Sequence, residues 1–345
     1  MNILITSAGR RTYLVQYFKQ ALAGRGRILA ADASPLAPAL TAADGKYLLP
    51  RADDPAYAEE LLRLCQTEDV SAVLSTNDLE LSALSGIRDR LHEAGVVAIV
   101  SSSAVVDLCL DKLRTAEYVT SLGLRAPKTF TDAAAAVRAE QDGKVRFPLV
   151  VKPRWGSASF AIEHAFDATE LELALGLVAR KLTRVDQPHL PGPAVLIQEM
   201  IHGVEYGLDV VNDLDGRYVA TIVKEKLRMR AGETDCARTV ESRTLDELGR
   251  TLGQALGHVG NLDCDVFVDG GAPCVLELNP RFGGGYPFSH FAGANVPAAI
   301  VAWLSGEDAT RDLFRVGNLV TSAKTDIVIG LQENAPQGSP SSSAG

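Results

Sequence analysis

The sequence predicts an α/β protein in two parts: a domain on a parallel sheet, then a larger α+β region of two lobes on antiparallel sheets. Three observations carry this. Over the first hundred residues, short apolar runs alternate with amphipathic stretches, the signature of βαβ units. From residue 147 the texture changes to closely spaced apolar runs joined by turn residues, with Asp215 and Gly216 the strongest hairpin signal. The length of 345 residues exceeds one ordinary domain and suits two or three.

In the first part, NILIT (2–6) reads as a strand that runs into the loop SAGRR. Leu14, Phe18 and Leu22 then repeat every four residues up to Gly24, which predicts a helix. RILAAD (27–32) is the second strand, followed by a helix at 55–66, a strand at 71–76, a helix at 78–93 and a strand at 95–100. Ligands bind such sheets outside the carboxyl ends of the strands. That rule points Ser7, Arg10, Arg11, Asp32, Asn77, Asp78 and Glu80 towards one crevice. A dinucleotide reading fails at SAGRR, which has one glycine where the fingerprint needs three. Further on, helices are expected at 103–109, 112–122, 167–182 and 244–257, and a hairpin at 263–278. The tail from 331 to 345 is rich in Pro, Ser and Gly and reads as disordered.

Hydrophobic residues at 46% and charged residues at 22% exclude global disorder. A net charge of −9, from 43 acidic against 34 basic residues, argues against a nucleic-acid or anionic-membrane binder. It leaves room for a local basic pocket. The five cysteines form no CxxC pair and read as reduced thiols. No leader and no apolar stretch of about 20 residues is present, which predicts a cytoplasmic protein.

Three segments carry the chemistry. Lys112 opens a helix, and Lys152 lies in the apolar run LVVKPRWGSAS. A lysine there reads as a point charge for phosphate, with Gly156, Ser157, Ala158 and Ser159 offering N–H groups and hydroxyls. The alternative is a lysine snorkelling from an edge strand. In LIQEMIHGVEYGLDV, the stretch Glu199, Met200, Ile201 could give adenine a flat apolar slot and Glu205 could take ribose hydroxyls. Taken alone, that segment reads more simply as two strands and a turn.

The third segment is DCDVFVDGGAPCVLELNPRFGGGYPFSH. The midpoint of Asp265 and Glu277 is residue 271, inside the turn DGGA, so the two should face each other across a hairpin. Glu277 and Asn279 are two apart and share a strand face. Three oxygen-bearing side chains in one place suit Mg²⁺. Arg281 follows beside them, and glycines 283–285 let backbone approach a ligand.

In this order and spacing, DK (111–112), VVKP with GSAS (151–159), QEMIHGVEYGLD (198–209) and LELNPRFGGG (276–285) resemble the ATP-grasp superfamily. More narrowly, residues 2–305 are similar to the carbamoyl-phosphate-synthetase-like single-chain ligases with a Rossmann-like pre-ATP-grasp domain. The resemblance implies such a domain over 1–101 and an ATP-grasp domain over 102–310. The latter would have a small lobe at about 127–200 and a large lobe at about 201–310, with a strand segment at 311–330 after it.

It implies that Lys112 and Lys152 touch the α- and β-phosphates and that Gly156, Ser157, Ala158 and Ser159 close over the triphosphate. Glu199, Met200 and Ile201 would be the adenine hinge and Glu205 the ribose carboxylate. Glu277 and Asn279, with Asp265, would hold the metal, and Arg281 would steady the γ-phosphate and an acyl phosphate. Lys226 and Arg230, with Arg228, lie where relatives contact phosphate and substrate; they could equally be a solvated face. Arg10, Arg11, Asn77, Asp78, Gly284, Gly285 and His290 are candidate substrate contacts. For Arg10 and Arg11 the alternative is a solvated helix start, and for His290 a helix cap.

The implied cofactors are ATP and Mg²⁺ or Mn²⁺, and the partners a small carboxylate and an amine, with homodimers common among relatives. The implied function is an ATP-dependent carboxylate–amine or amino-acid ligase that forms a carbon–nitrogen bond and releases ADP and phosphate. The rivals are a bicarbonate-activating enzyme working through carboxyphosphate and a non-catalytic nucleotide-binding module.

Overall fold

The structure, a computed structural model of the chain, describes residues 1–156, 160–185, 192–317 and 320–331. It divides into two units. The first holds Met1–Ser103 and Asn295–Leu313, with the described residues from Thr325 onward; the second holds Ala104–Ala294 and Phe314–Lys324.

In the first unit the elements run β1 (Asn2–Thr6), α1 (Thr12–Leu22), β2 (Arg27–Asp32), β3 (Gly45–Leu48), α2 (Tyr57–Thr67), β4 (Val70–Ser75), α3 (Asp78–Gly86), α4 (Arg88–Glu93) and β5 (Val97–Ala98). The strands form one parallel sheet in the order β3-β2-β1-β4-β5. Its central strands β1, β2 and β4 are buried on both faces, as in parallel sheets that helices cover on either side. Ile3, Leu4, Ile5, Leu29 and Val73 have no more than traces of exposure, and Leu14, Phe18 and Leu22 of α1 pack against them as the four-residue spacing predicts. The chain order reverses between β1 and β4, so the loops after those two strands flank the switch point.

The second unit begins with α5 (Ser103–Leu110, from its second residue) and α6 (Lys112–Ser121). Next come β6 (Thr129–Phe130), α7 (Ala133–Gln141), β7 (Leu149–Pro153), β8 (Glu163–Ala165), α8 (Ala168–Leu182) and β9 (Val195–Glu199). These strands make an antiparallel sheet in the order β6-β9-β7-β8, with α7 and α8 packed on it around Leu149, Val151, Leu171, Val178 and Ile197.

Then follow β10 (Val204–Asn212), β11 (Tyr218–Arg230), β12 (Glu233–Thr239), α9 (Arg243–Leu256), β13 (Gly260–Asp269), β14 (Ala272–Asn279) and α10 (Tyr286–Phe291). The helix α11 (Val296–Leu304) belongs to the first unit, and β15 (Thr321–Ala323) returns to the second. The larger antiparallel sheet runs β14-β13-β10-β11-β12-β15.

Alternation divides that sheet into two faces. Leu208, Val210, Val223, Leu262, Cys264, Val266 and Leu278 face α9, whose Leu245, Leu248, Leu252 and Leu256 recur at three and four residues. Ser242 caps α9 and Gly257 ends it in the left-handed region at φ 59°. Each fully buried leucine contributes about 2 kcal/mol of transfer free energy. The opposite face carries Glu205, Asp209, Lys224, Asp263, Asp265, Glu277 and Asn279, which is where the candidate chemistry sits.

The expected pairing of Asp265 with Glu277 is present, but by another route. The turn has only two residues, Gly270 and Gly271, both at positive φ as a type I′ turn requires. A bulge between Asp265 and Val266 then shifts the register and restores the pair.

Other expectations need correction. The helix expected at 78–93 is interrupted at Ile87, where φ −110° and ψ 12° leave the helical region and separate α3 from α4. The strand expected at 95–100 is only two residues long, and it starts after Gly95, which takes φ 77°. Lys152 does not snorkel from an edge: β7 lies between β9 and β8, and Lys152 is 5% exposed. Among the described residues no helix is long and apolar enough to cross a membrane. The expected disordered tail falls, after residue 331, outside the described residues.

Candidate active site

Two lysines from different elements are brought together by an ion pair the sequence reading did not anticipate. Asp111 caps α6 by accepting from the N–H groups of Leu113 and Arg114. The same carboxylate receives Arg154 in a two-pronged contact, Nε to Oδ1 at 2.8 Å and Nη2 to Oδ2 at 2.6 Å. Lys112 N–H also donates to the Arg154 carbonyl at 3.2 Å. The start of α6 is thereby tied to the end of β7.

Lys112 Nζ lies 3.3 Å from Glu277 Oε1 and also donates to the Gly156 carbonyl. Lys152 is pushed down to about 8, first by burial and then by Lys112, with Glu277 and Asp265 opposing. Burial resists ionisation of Glu277, yet Lys112, Lys152 and Arg281 together hold its carboxyl below the usual glutamate value. Ser157, Ala158 and Ser159 lie outside the described residues.

The hairpin β13–β14 places Glu277 opposite Asp265, and Asn279 opposite Asp263. Lys226 on β11 reaches both Glu205 Oε1 and Asp265 Oδ1 at 2.6 Å. Burial works against its charge, but Asp265 and Glu205 outweigh it and raise the Lys226 value. Asp265 itself is raised by burial, with Lys226 opposing. Arg281 Nη1 lies 3.6 Å from Asp263 Oδ2, and Asp263 is pushed up to about 6 by burial and by Asp265.

The structure thus gathers Lys112, Lys152, Glu205, Lys226, Asp265, Glu277, Asn279 and Arg281 on one face. Arg230, with Arg228, is not in that group. Both are mostly exposed, and their contacts run to Asp235, at 2.8 Å for Arg228 and 3.9 Å for Arg230.

Glu199 closes β9 with its carboxylate against the Lys128 N–H (3.3 Å) and Arg125 (3.6 Å). Met200 and Ile201 follow, Ile201 buried. Gly203 then turns the chain at φ 132° so close to β13 that a Cβ would sit 2.2 Å from the Val268 carbonyl oxygen. Gly283 and Gly285 serve a similar end. A Cβ on Gly283 would lie 2.1 Å from the Asp263 carboxyl carbon, and one on Gly285 would lie 2.8 Å from Lys224 Cε. Gly284 has more room, with Glu233 at 3.5 Å. His290, held by Tyr286 at 3.1 Å, is pushed down to about 4 by burial.

In the first unit, Arg10 is exposed and Arg11 donates to the Tyr13 hydroxyl at 3.0 Å. Asn77 is a cap, accepting from the Leu79 N–H, and Asp78 is buried in the first turn of α3. Asp32 accepts from the N–H groups of Gly9 and Ser34, so it orders its own loop. Glu80 does not face a crevice. It is buried and accepts from Thr6 (2.8 Å), Tyr57 (2.6 Å) and Ser75, which makes it part of the core.

Sequence reasoning missed Asp263 and a neighbouring buried network. Lys224 pairs with Asp209 at 2.6 Å, and Asp209 also accepts from Asn261 and Ser289. The available signals were an aspartate amid the apolar run GLDVV and the two-residue spacing of Lys224 and Lys226 on one strand.

Among the described residues, no group of three His, Cys, Asp or Glu side chains is arranged to hold a metal ion. Glu277 and Asn279 nevertheless offer two hard oxygen donors on one strand face. That suits Mg²⁺, which takes one or two carboxylates and completes its shell with water and phosphate oxygens.

Comparison with known proteins finds likenesses over both parts of the chain. The profile of PylC-like N-terminal domains matches residues 3–99, and that of the ATP-grasp in the biosynthetic pathway with Ter operon matches residues 192–324. The carbamoyl phosphate synthase large chain of Mesorhizobium japonicum is 25% identical over 285 residues, covering 76% of this chain and 24% of that one. The chain therefore spans about a quarter of the length of such relatives.

Among solved structures, the biotin carboxylase domain of Hydrogenobacter thermophilus 2-oxoglutarate carboxylase superposes with TM-score 0.71 at 15% identity, covering 91% of this chain and 72% of that one. The L-amino acid ligase of Bacillus licheniformis gives 0.65 at 20%, covering 91% and 77%. Those two likenesses are ones of fold. With the two matched segments in this order, the chain carries a PylC-like N-terminal domain ahead of an ATP-grasp domain and belongs to the ATP-grasp superfamily.

Proposed function

We propose that this chain is an ATP-dependent ligase that activates a carboxylate as an acyl phosphate and couples it to an amine, with release of ADP and phosphate. The observation that carries the reading is the convergence of Lys112 and Lys152 on Glu277, beside Asn279 and Arg281. A carboxylate is a poor electrophile until one oxygen becomes part of a leaving group. Transfer of a γ-phosphoryl group does that, and the protein's task is then positioning and neutralising charge.

Lys112 and Lys152 would meet the phosphates, and the Glu199 to Ile201 strip the base. The oxygen of Glu205 that Lys226 does not take would meet the ribose. Arg281 would stand by the γ-phosphate, kept in place by Asp263. Magnesium held by Glu277 and Asn279 would supply further neutralisation of the phosphates. Arg10, Arg11, Asn77 and Asp78 are proposed substrate contacts of the first unit, and Gly284, Gly285 and His290 of the second. Arg230 is proposed to meet substrate only from its exposed position at the end of β11.

Phosphate release, screened over carboxylic acids crossed with amines, tests the reading. ADP and phosphate should form only when both partners are present, and Glu277→Gln, which turns a charged metal donor into a neutral one, should lower the rate by at least about tenfold. Unchanged Mg²⁺-dependent ADP formation in a Glu277→Gln, Asn279→Ala variant would sink it. Activation of bicarbonate is the second reading, favoured by the carbamoyl phosphate synthase relatives and by the bicarbonate bound in the biotin carboxylase structure. Phosphate release with bicarbonate alone would decide for it.

A further inference from the structure

The two lysines of the site are not held with equal firmness. Lys152 lies within β7, where strand pairing sets it opposite Leu196 of β9. Lys112 opens α6, and no strand pairing fixes a helix start. The two ammonium groups are close enough for Lys112 to disfavour the charge on Lys152, so they repel. Their spacing therefore depends on a tie between the two segments.

Asp111 directly precedes Lys112, and Arg154 follows Lys152 by two residues. Their side chains are 7% and 11% exposed and meet fork to fork, a contact that fixes direction as well as distance. The guanidinium is itself held in place. It lies over the Trp155 ring at 4.7 Å, and the Arg154 N–H donates to the Ala194 carbonyl at 2.9 Å. Gly192 leaves it room, since a Cβ there would sit 2.7 Å from Arg154 Nη1. Two further ties bridge the same segments, from Lys112 N–H to the Arg154 carbonyl and from Lys112 Nζ to the Gly156 carbonyl. Capping alone does not call for the arginine, because Asp111 already accepts from the N–H groups of Leu113 and Arg114. A buried ion pair is also a weak source of stability, since desolvation offsets its attraction. We propose that Asp111 and Arg154 are positioning residues that hold Lys112 at a fixed spacing from Lys152 before a nucleotide arrives. The pair acts through Lys112 and touches no substrate itself. Its effect on nucleotide rests on the reading of the two lysines as phosphate contacts.

Isothermal titration of the full chain with Mg²⁺–ADP tests this as a double-mutant cycle. Lys112→Ala should weaken binding by about tenfold, through loss of a charge-assisted contact. Arg154→Met should weaken it by about five- to tenfold in the wild type, but by no more than about twofold in the Lys112→Ala chain, where no lysine is left to place. A role in folding alone would lower affinity equally in both backgrounds. Arg154→Met leaves the Asp111 charge buried without its partner, so Asp111→Asn serves as the second variant. Asparagine caps a helix as well as aspartate does. The Asp111→Asn variant should lose ADP affinity as Arg154→Met does, with the same dependence on Lys112.

Reductive methylation of the nucleotide-free chain, read by mass spectrometry, gives an independent arm. Lys112 should react at least about threefold faster in Arg154→Met and in Asp111→Asn than in the wild type, as expected of a side chain released from a local contact. Lys46, exposed on β3, should react alike in all three and serves as the standard. ADP affinity within about twofold of the wild type in both variants, losses that do not depend on Lys112, or an unchanged methylation rate at Lys112 would each overturn the proposal. Failure of the nucleotide reading shows separately, as absence of ADP binding by the wild type. The methylation rates decide the placement of Lys112 even then.

Discussion

Lys152 shows at the scale of one residue how function and stability pull apart. Its ordinary value of 10.5 falls to about 8 in the folded chain, chiefly through burial. Below pH 8 both states carry the charge, and the folded state bears its full desolvation cost. Between pH 8 and 10.5 the folded chain gives up the proton while the unfolded chain keeps it, so that cost lifts as pH rises. A difference of about 2.5 units corresponds to about 3 kcal/mol. Lys152→Met should therefore raise the melting temperature of the nucleotide-free protein at pH 7, with a smaller gain at pH 10. The same substitution should weaken ADP binding by at least about tenfold, since a charge-assisted contact to phosphate is lost. Calorimetric titration with ADP, beside melting curves at the two pH values, checks both. Unchanged ADP affinity would mean that the lysine is there for packing alone.

At the scale of elements, glycine position outweighs helix propensity. Gly249 faces β11 from the middle of α9, and a Cβ there would sit 2.3 Å from Thr221 Oγ1. Alanine favours a helix over glycine by about 1 kcal/mol, but overpacking costs about 1–3 kcal/mol. Gly249→Ala should on balance destabilise by about 1 kcal/mol, read from urea denaturation midpoints at constant slope. A stabilised variant would show that α9 can shift off the sheet at little cost.

The same elements show what could be read from the chain. The leucines of α9, the strands β1, β2 and β4, and the pairing of Asp265 with Glu277 follow from period and turn chemistry. The bulge that makes the pairing possible does not, because it balances a two-residue turn against strand register over several residues. α11 escaped notice because VPAAIVAWL is apolar on every side, and a buried helix has no periodicity to separate it from a strand. The four-residue β3 alternates too briefly to stand out. Partnerships such as Lys226 with Asp265, 39 residues apart, depend on a gap at Gly207 that no local pattern announces.

For the whole molecule, the division into two units makes a thermodynamic prediction. Lys112, Lys152, Glu199, Glu205, Glu277 and Asn279 all lie in the second unit. A ligand stabilises only what it binds, by about 2.7 kcal/mol at a hundred times its Kd. In a unit of about 200 residues, 1 kcal/mol moves the melting temperature by about 2–4 °C, so saturating Mg²⁺–ADP should raise one transition by about 5–10 °C. Scanning calorimetry should accordingly show two transitions, of which one moves. Core variants identify them: Leu252→Ala in α9 should lower the transition that ADP raises, and Leu29→Ala in β2 the other, each by several degrees. A single transition that shifts as a whole would mean that the two units unfold together, so that nucleotide energy spent in the second also stabilises the first.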